Sequence, residues 1–223
     1  MPLPQEEILS GPYFALNGVA FFDAQIGVAV GEWGAMWRTE NGGNAWTRLP
    51  EVTTAALYRI SFPTPKNGWA VGLNGTILVT DDGGKTGRIQ TSGTRDSLRD
   101  VFFINEQKGW VVGDKGTILR TEDGGAIWQA VLSGTSETIR SVFFTDENTG
   151  FAVGGPSGIG ILLKTIDSGA TWETKRLADN YLTDVFFPSS SRGWVVGAAG
   201  TILNTFNGGE TWSKQSSGTS LWF

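Results

Sequence analysis

Cysteine and histidine are both missing from these 223 residues, and methionine and tyrosine are scarce, at two and three. The first two absences remove disulfides, thiolate nucleophiles, Ser-His-Asp relays and imidazole metal sites, and with them most hydrolase and zinc mechanisms. What remains is carboxylate chemistry, and neither a cofactor nor a metal is expected. Long apolar runs are missing too. No stretch approaches the roughly 20 residues of a membrane-crossing helix, and the opening Met1 to Glu7 lacks the basic and apolar regions of an export signal. The expectation is a chain that does not span a membrane and, as written, is cytoplasmic. Positive charge is in deficit, with 17 Lys plus Arg against 22 Asp plus Glu and a net charge of −5. Such a field repels polyphosphates, so nucleic acid is not an expected partner.

Glycine is abundant, at 32 residues, and the chain is 39% hydrophobic and 17% charged, which describes a turn-rich globular protein and not a disordered one. A repeat organises it. Gly27-Val28-Ala29-Val30-Gly31 recurs at Gly68, Gly109, Gly150 and Gly193 in steps of about 41–43 residues. Each copy follows an apolar run containing Phe21, Phe62, Phe103, Phe144 or Phe187. Each precedes a third apolar segment, a Gly-rich turn and, in most copies, a Trp with a polar tail. Four short strands per period predict an all-β propeller of five four-stranded antiparallel blades. The repeats run over approximately 17–57, 58–98, 99–139, 140–181 and 182–223, with 1–16 as an extension or closing strand. Ile8-Leu9-Ser10-Gly11 echoes the fourth-strand tail Val131-Leu132-Ser133-Gly134, and Ser217-Gly218 ends another. A closed ring has one place for this element, so one copy is expected to clasp the seam or to join a second subunit, making a homo-oligomer through terminal strands. The apolar Trp222-Phe223 is expected to dock into a groove.

Thr165-Ile166-Asp167-Ser168-Gly169-Ala170-Thr171-Trp172 fits the Asp-box pattern at every specified position. Asn41, Asp82, Asp123 and Asn207 hold the position of Asp167 in the other copies. Because Asn caps a turn as Asp does but cannot replace it in acid–base chemistry, the reading is structural: a side-chain oxygen accepts backbone N–H groups while Gly supplies the left-handed bend. Trp46, Trp128, Trp172 and Trp212 are expected to plug the space between blades. Repeat two has Gly87 there instead, which predicts its blade to be the softest.

The combined pattern Val-Phe-Phe, Gly-Trp-Val-Val-Gly, Gly-Thr-Ile-Leu, Asp-Gly-Gly-x-x-Trp and Ser-Gly-Thr resembles the photosystem II stability/assembly factor family, within the wider bacterial neuraminidase (Asp-box) repeat class. The likeness covers roughly residues 8–223. It implies a non-enzymatic propeller that holds polypeptides during assembly of a photosynthetic or other membrane complex. In such a fold the loops between second and third strands share a rim with the connections entering the first strands. That rim offers Trp33, Asn74 and Lys115 from the first set, and Arg59, Arg99 and Arg140 from the second, as partner-binding candidates. Three arginines on successive blades suit a carboxylate or an acidic peptide; local pairing with Asp96, Asp100 and Glu137 is the plainer alternative. Arg38, Arg120 and Lys164 share another register, expected to be a solvated stripe. An adhesive, lectin-like or structural propeller, on a virion or cell surface, is the second function class. A sialidase-like glycosidase is the third, weakened because Tyr58 to Pro63 is only repeat two's copy of the first strand.

Overall fold

The computed structural model describes residues 15–219. Strands β1–β4 (Leu16–Phe21, Gly27–Gly31, Met36–Thr39, Thr47–Arg48) form the first antiparallel sheet. The second contains β5–β8 (Leu57–Ser61, Gly68–Gly72, Ile77–Thr80, Arg88–Gln90) and the third β9–β12 (Leu98–Phe103, Gly109–Gly113, Ile118–Thr121, Gln129–Val131). The fourth contains β13–β16 (Ile139–Phe144, Gly150–Gly154, Gly160–Thr165, Glu173–Ala178) and the fifth β17–β20 (Leu182–Phe186, Gly193–Gly197, Thr201–Thr205, Ser213–Gln215). Each sheet runs in simple sequence order, and consecutive first strands pack side by side, from β1 against β5 to β13 against β17. This is a five-bladed β-propeller. The Ile8–Gly11 strand and the Trp222-Phe223 docking both fall outside the described residues.

The two glycines of the recurring five-residue motif are there for different steric reasons. A Cβ on Gly68, Gly109, Gly150 or Gly193 would lie 2.4–2.5 Å from the ring of Phe62, Phe103, Phe144 or Phe187 on the neighbouring strand. The ring therefore lies flat on bare backbone. At the other end of the motif, a Cβ on Gly72, Gly113 or Gly154 would lie 2.0–2.3 Å from the carbonyl of Ala56, Ser97 or Thr138, where the chain enters the blade. Between them, the apolar side chains are buried from both sides, which explains runs that do not alternate.

Consecutive blades are joined by ring stacking and one recurring polar contact. Trp69 stacks on Phe103 at 3.7 Å, Trp110 on Phe144 at 3.5 Å, and Phe151 on Phe187 at 4.3 Å. Where the earlier blade's second strand carries Trp, its indole N–H reaches the next blade's Asp-box turn, Trp69 to the Gly124 carbonyl and Trp110 to that of Ser168. Where that strand has Val28 or Phe151 instead, a cation on the third strand does so, Arg38 to Gly83 and Lys164 to Gly208. Arg38 is thus only 8% exposed, and Arg120 and Lys164 are half-buried. For Arg38 and Lys164 the solvated stripe expected from sequence is instead a pair of interface positions, their long stems covering apolar surface.

Two further departures stand out. Among the described residues the first and fifth sheets show no packing like that between consecutive blades. Ring stacking joins three of the four consecutive blade pairs, and at the remaining one Phe22 meets Phe62 at a tilt, 4.9 Å between ring centres. In addition, the place beside Gly87 is a cleft of about 140 Å³ lined by Met36, Leu49, Pro50 and Val52. A Cβ at Gly87 would meet nothing nearer than Val52 at 3.7 Å. Gly87→Trp is expected to leave stability unchanged or raise it by up to about 1 kcal/mol, read as a higher denaturant midpoint; a lower midpoint would show that the cleft cannot take an indole.

Candidate functional site

A bulge repeated in every blade builds the rim. The pairing of first and second strands slips between Leu16 and Gly18, Leu57 and Arg59, Ile139 and Ser141, and Leu182 and Asp184, and β9 slips likewise between Leu98 and Asp100. The extra residues are Asn17, Tyr58, Arg99, Arg140 and Thr183. A bulge re-aims its unpaired side chain out of the ladder. Four of these five residues, Asn17, Tyr58, Arg99 and Arg140, line one open cleft of about 400 Å³ with Arg59 and Thr138.

The three arginines are held differently. Arg99 grips Asp114 with two N–H bonds of 2.8 and 2.7 Å and lies over the Tyr58 ring at 5.0 Å. The carboxylate bonds raise the Arg99 pKa, and the same guanidinium holds Asp114 below the ordinary carboxylate range. Arg59 sits 3.8 Å from both Asp100 and Asp184. Arg140 lies over Tyr181 at 4.5 Å and donates to the carbonyls of Gly155 at 2.6 Å and Thr138 at 3.5 Å. Among the described residues it has no ion-pair partner. Burial lowers its pKa, and the neighbouring Arg99 charge adds to this.

Of the other rim candidates, Trp33, Asn74 and Lys115 each occupy the left-handed residue of a second-to-third strand turn, at φ 54–56°, and are exposed. None lines the cleft. Lys115 pairs with Asp96, so Asp96 does not neutralise an arginine; Asp100 does lie near Arg59, while Arg99 uses Asp114. Sequence reading overlooked Tyr181 and the Asp114 pairing. The available signal was that Tyr58, Arg99 and Arg140 share one register on successive blades, which puts ring and guanidinium side by side.

Inside the rim, first strands are tied across blades. The Asp100 carboxylate accepts the backbone N–H of Val142 at 2.9 Å, and the Ser141 hydroxyl donates to Asp184 at 2.7 Å. Burial pushes the Asp100 carboxyl up to about 6, against the opposing pull of the Val142 N–H and Arg59. Its ordinary value is 3.8. Folding therefore favours the protonated form, so this contribution is whole below about pH 4 and is lost as pH rises through 6. Asp100→Asn should remove the loss. Its stability relative to the parent is expected to rise by about 3 kcal/mol between pH 4 and pH 8. A pH-independent difference in denaturant midpoints would refute the burial assignment.

The Asp-box carboxylates are engaged within their own turns. Thr80, Thr121 and Thr165 donate to Asp82, Asp123 and Asp167 at 2.8 Å. The side-chain oxygens accept backbone N–H groups three or four residues on, as do those of Asn41 from Ala45 and Asn207 from Thr211. At Asp82 burial pushes upward, but the bonds from Thr86, Thr80 and Lys85 prevail and bring the pKa to about 2. Bonds from Thr171 do the same at Asp167. Trp46, Trp172 and Trp212 are half-buried and Trp128 is buried, each edge-on to a Phe of its own blade: Phe21, Phe144, Phe187 and Phe103.

Residues 87–181 and 175–220 match the family model of the photosynthesis system II assembly factor YCF48, and these segments span more than half of the chain. The chain belongs to the YCF48 family. This YCF48-family chain is similar to a solved structure described as YCF48 bound to D1 peptide, at 20% identity and TM-score 0.64, covering 91% of this chain and 81% of that one. YCF48 from Cyanidioschyzon merolae is 16% identical with TM-score 0.62, over 99% and 88%. The GH74 enzyme of Niastella koreensis reaches TM-score 0.74 at 17% identity, and the ancestral GH74 enzyme AFV00434 reaches 0.73 at 12%. This chain spans only 38% and 31% of those two. At such identities the likenesses establish the propeller fold alone. No curated protein matches the chain.

Proposed function

We propose that this propeller is a non-catalytic scaffold that holds an acidic or carboxylate-terminated peptide of a photosynthetic membrane-complex subunit in the arginine cleft. Family membership and the peptide-bound YCF48 structure support a protein partner. The observation that carries the site is Arg140, a half-buried guanidinium with two carbonyl acceptors and no ion-pair partner among the described residues. A bound carboxylate would supply the missing counter-charge with bidentate geometry. Arg99 contributes field and shape, and Arg59 closes the inner side. The rim carboxylates Asp96 and Asp114 are tied up in ion pairs, which leaves little for glycosidase chemistry.

The probe is a short acidic peptide with a free C-terminus, titrated by fluorescence anisotropy against the amidated form and against Arg140→Gln. Arg140→Gln is expected to weaken binding about tenfold or more, and rising salt should weaken the parent but barely the variant. Affinity unchanged in Arg140→Gln and in the Arg59, Arg99 and Arg140 triple Gln variant would remove the cleft as the binding site.

A further inference from the structure

We propose that a cleft between the third and fourth blades binds an extended segment of a protein partner, taking an Asp or Glu side chain on Arg120 and an adjacent apolar residue against Leu132 and Trp172. Three blades carry a cation at the same third-strand position, and two of the three are neutralised. Arg38 pairs with Glu40 and donates to the Gly83 carbonyl, while Lys164 pairs with Glu210 and donates to that of Gly208. Arg120 has neither an ion pair nor a hydrogen-bond acceptor among the described residues. The equivalent carbonyl, that of Ser168, is held by Trp110. Ala170 stands where Glu210 meets Lys164. Glu122, spaced from Arg120 as Glu40 is from Arg38, makes no ion pair with it.

The cleft measures about 550 Å³ and is walled by Arg120, Ala170 and Trp172 on one side and by consecutive residues from Gln129 to Leu132, along the edge strand β12, on the other. Its counterpart between the fourth and fifth blades contains Lys164 together with Glu173 and Glu210. Gln129 pairs with Arg120 as Glu173 pairs with Lys164, so the two are equivalent. Both carboxylates of the later cleft are therefore uncharged residues in the earlier one, where no carboxylate lines the wall. A half-buried guanidinium without a counter-charge is a bidentate seat for a carboxylate. The same joint lacks a second acceptor. Val131 stands where Gln90 accepts from Trp128, and the Trp172 indole N–H is buried without a partner among the described residues. Leu132, 92% exposed, places apolar ground beside the charge. An edge strand with open backbone groups receives an extended chain, and these side chains select an acidic residue next to an apolar one.

The test titrates the full nitrogen-15-labelled chain with a serine-rich peptide carrying one Glu followed by Leu, followed by NMR. Both peptide ends are blocked, which keeps a terminal carboxylate out of the arginine cleft. The indole signal of Trp172 is identified by its loss in Trp172→Phe. That signal is expected to move with the Glu peptide and to stay still with its Gln counterpart. Arg120→Gln should weaken binding about tenfold. Ala170→Glu, at an exposed turn position, rebuilds the arrangement of Glu210 with Lys164 and should weaken binding as much, with circular dichroism unchanged. Arg140→Gln should leave this affinity unaltered, so failure here and failure of the arginine cleft are read separately. A motionless Trp172 signal, equal affinity for the Gln peptide, or unchanged affinity in both Arg120→Gln and Ala170→Glu would overturn the proposal. Acetate binding as tightly as the peptide would also overturn it, leaving a general anion site in place of a peptide site.

Discussion

Gly113→Ala is expected to lose about 3 kcal/mol of stability or more, and with it the geometry of the rim. The added Cβ would lie 2.3 Å from the Ser97 carbonyl and 3.1 Å from the Leu98 Cα. Both are backbone atoms, so no rotamer change relieves the clash and the blade's entry segment must move. That carbonyl also accepts the Asp114 N–H at 2.9 Å, and Asp114 carries the carboxylate gripped by Arg99. One methyl group therefore strains the fold and displaces an arginine of the cleft. Gly87→Ala is the matched control, since its Cβ would find only ordinary contacts; a change within about 0.5 kcal/mol is expected there. Denaturant midpoints and peptide affinity, measured on both variants well below the unfolding transition, check the prediction. Equal midpoints would show that the motif glycine is not held by steric closeness to the entry segment.

The repeat made the fold legible. A period near 41 residues with four apolar segments leaves few alternatives to blades, and the strand positions follow from Gly-bounded runs such as Gly109 to Gly113. The bulges were not legible. Arg99 and Arg140 were legible as rim candidates at the entry to the first strands, but it is the slipped register that turns them toward a common cleft. Arg38 and Lys164 misled for a related reason. Charge suggested solvent, but their function depends on what a different strand lacks, since Val28 and Phe151 stand where a Trp would otherwise make the contact to the next blade. Pairwise compensation of this kind is visible only once two strands and the next blade's turn are seen together.

Trp128→Ala is expected to be among the most costly side-chain truncations, at about 3–5 kcal/mol. Trp128 is buried edge-on against Phe103, 5.8 Å between ring centres, in a cluster with Trp69, Val79, Leu98 and Leu119. Its indole N–H donates to the side-chain oxygen of Gln90 on the preceding blade at 3.3 Å, and the Gln90 amide donates to the Gly124 carbonyl at 3.0 Å. Trp69 donates to that same carbonyl. Truncation leaves a cavity at the joint between two blades and a buried amide oxygen without its donor, a loss added to that of the packing. Trp172 provides the contrast. It makes the same edge contact with Phe144, but it is only half-buried and its buried indole nitrogen has no acceptor among the described residues. Trp172→Phe should accordingly be nearly neutral, because it deletes a polar group already unsatisfied, while Trp128→Phe should lose the Gln90 bond and about 1 kcal/mol with it. Chemical denaturation of the four variants, the two Trp→Ala and the two Trp→Phe, separates indole packing from the hydrogen bond. If Trp128→Ala and Trp172→Ala shift the midpoint equally, burial at the blade joint is not what sets the cost.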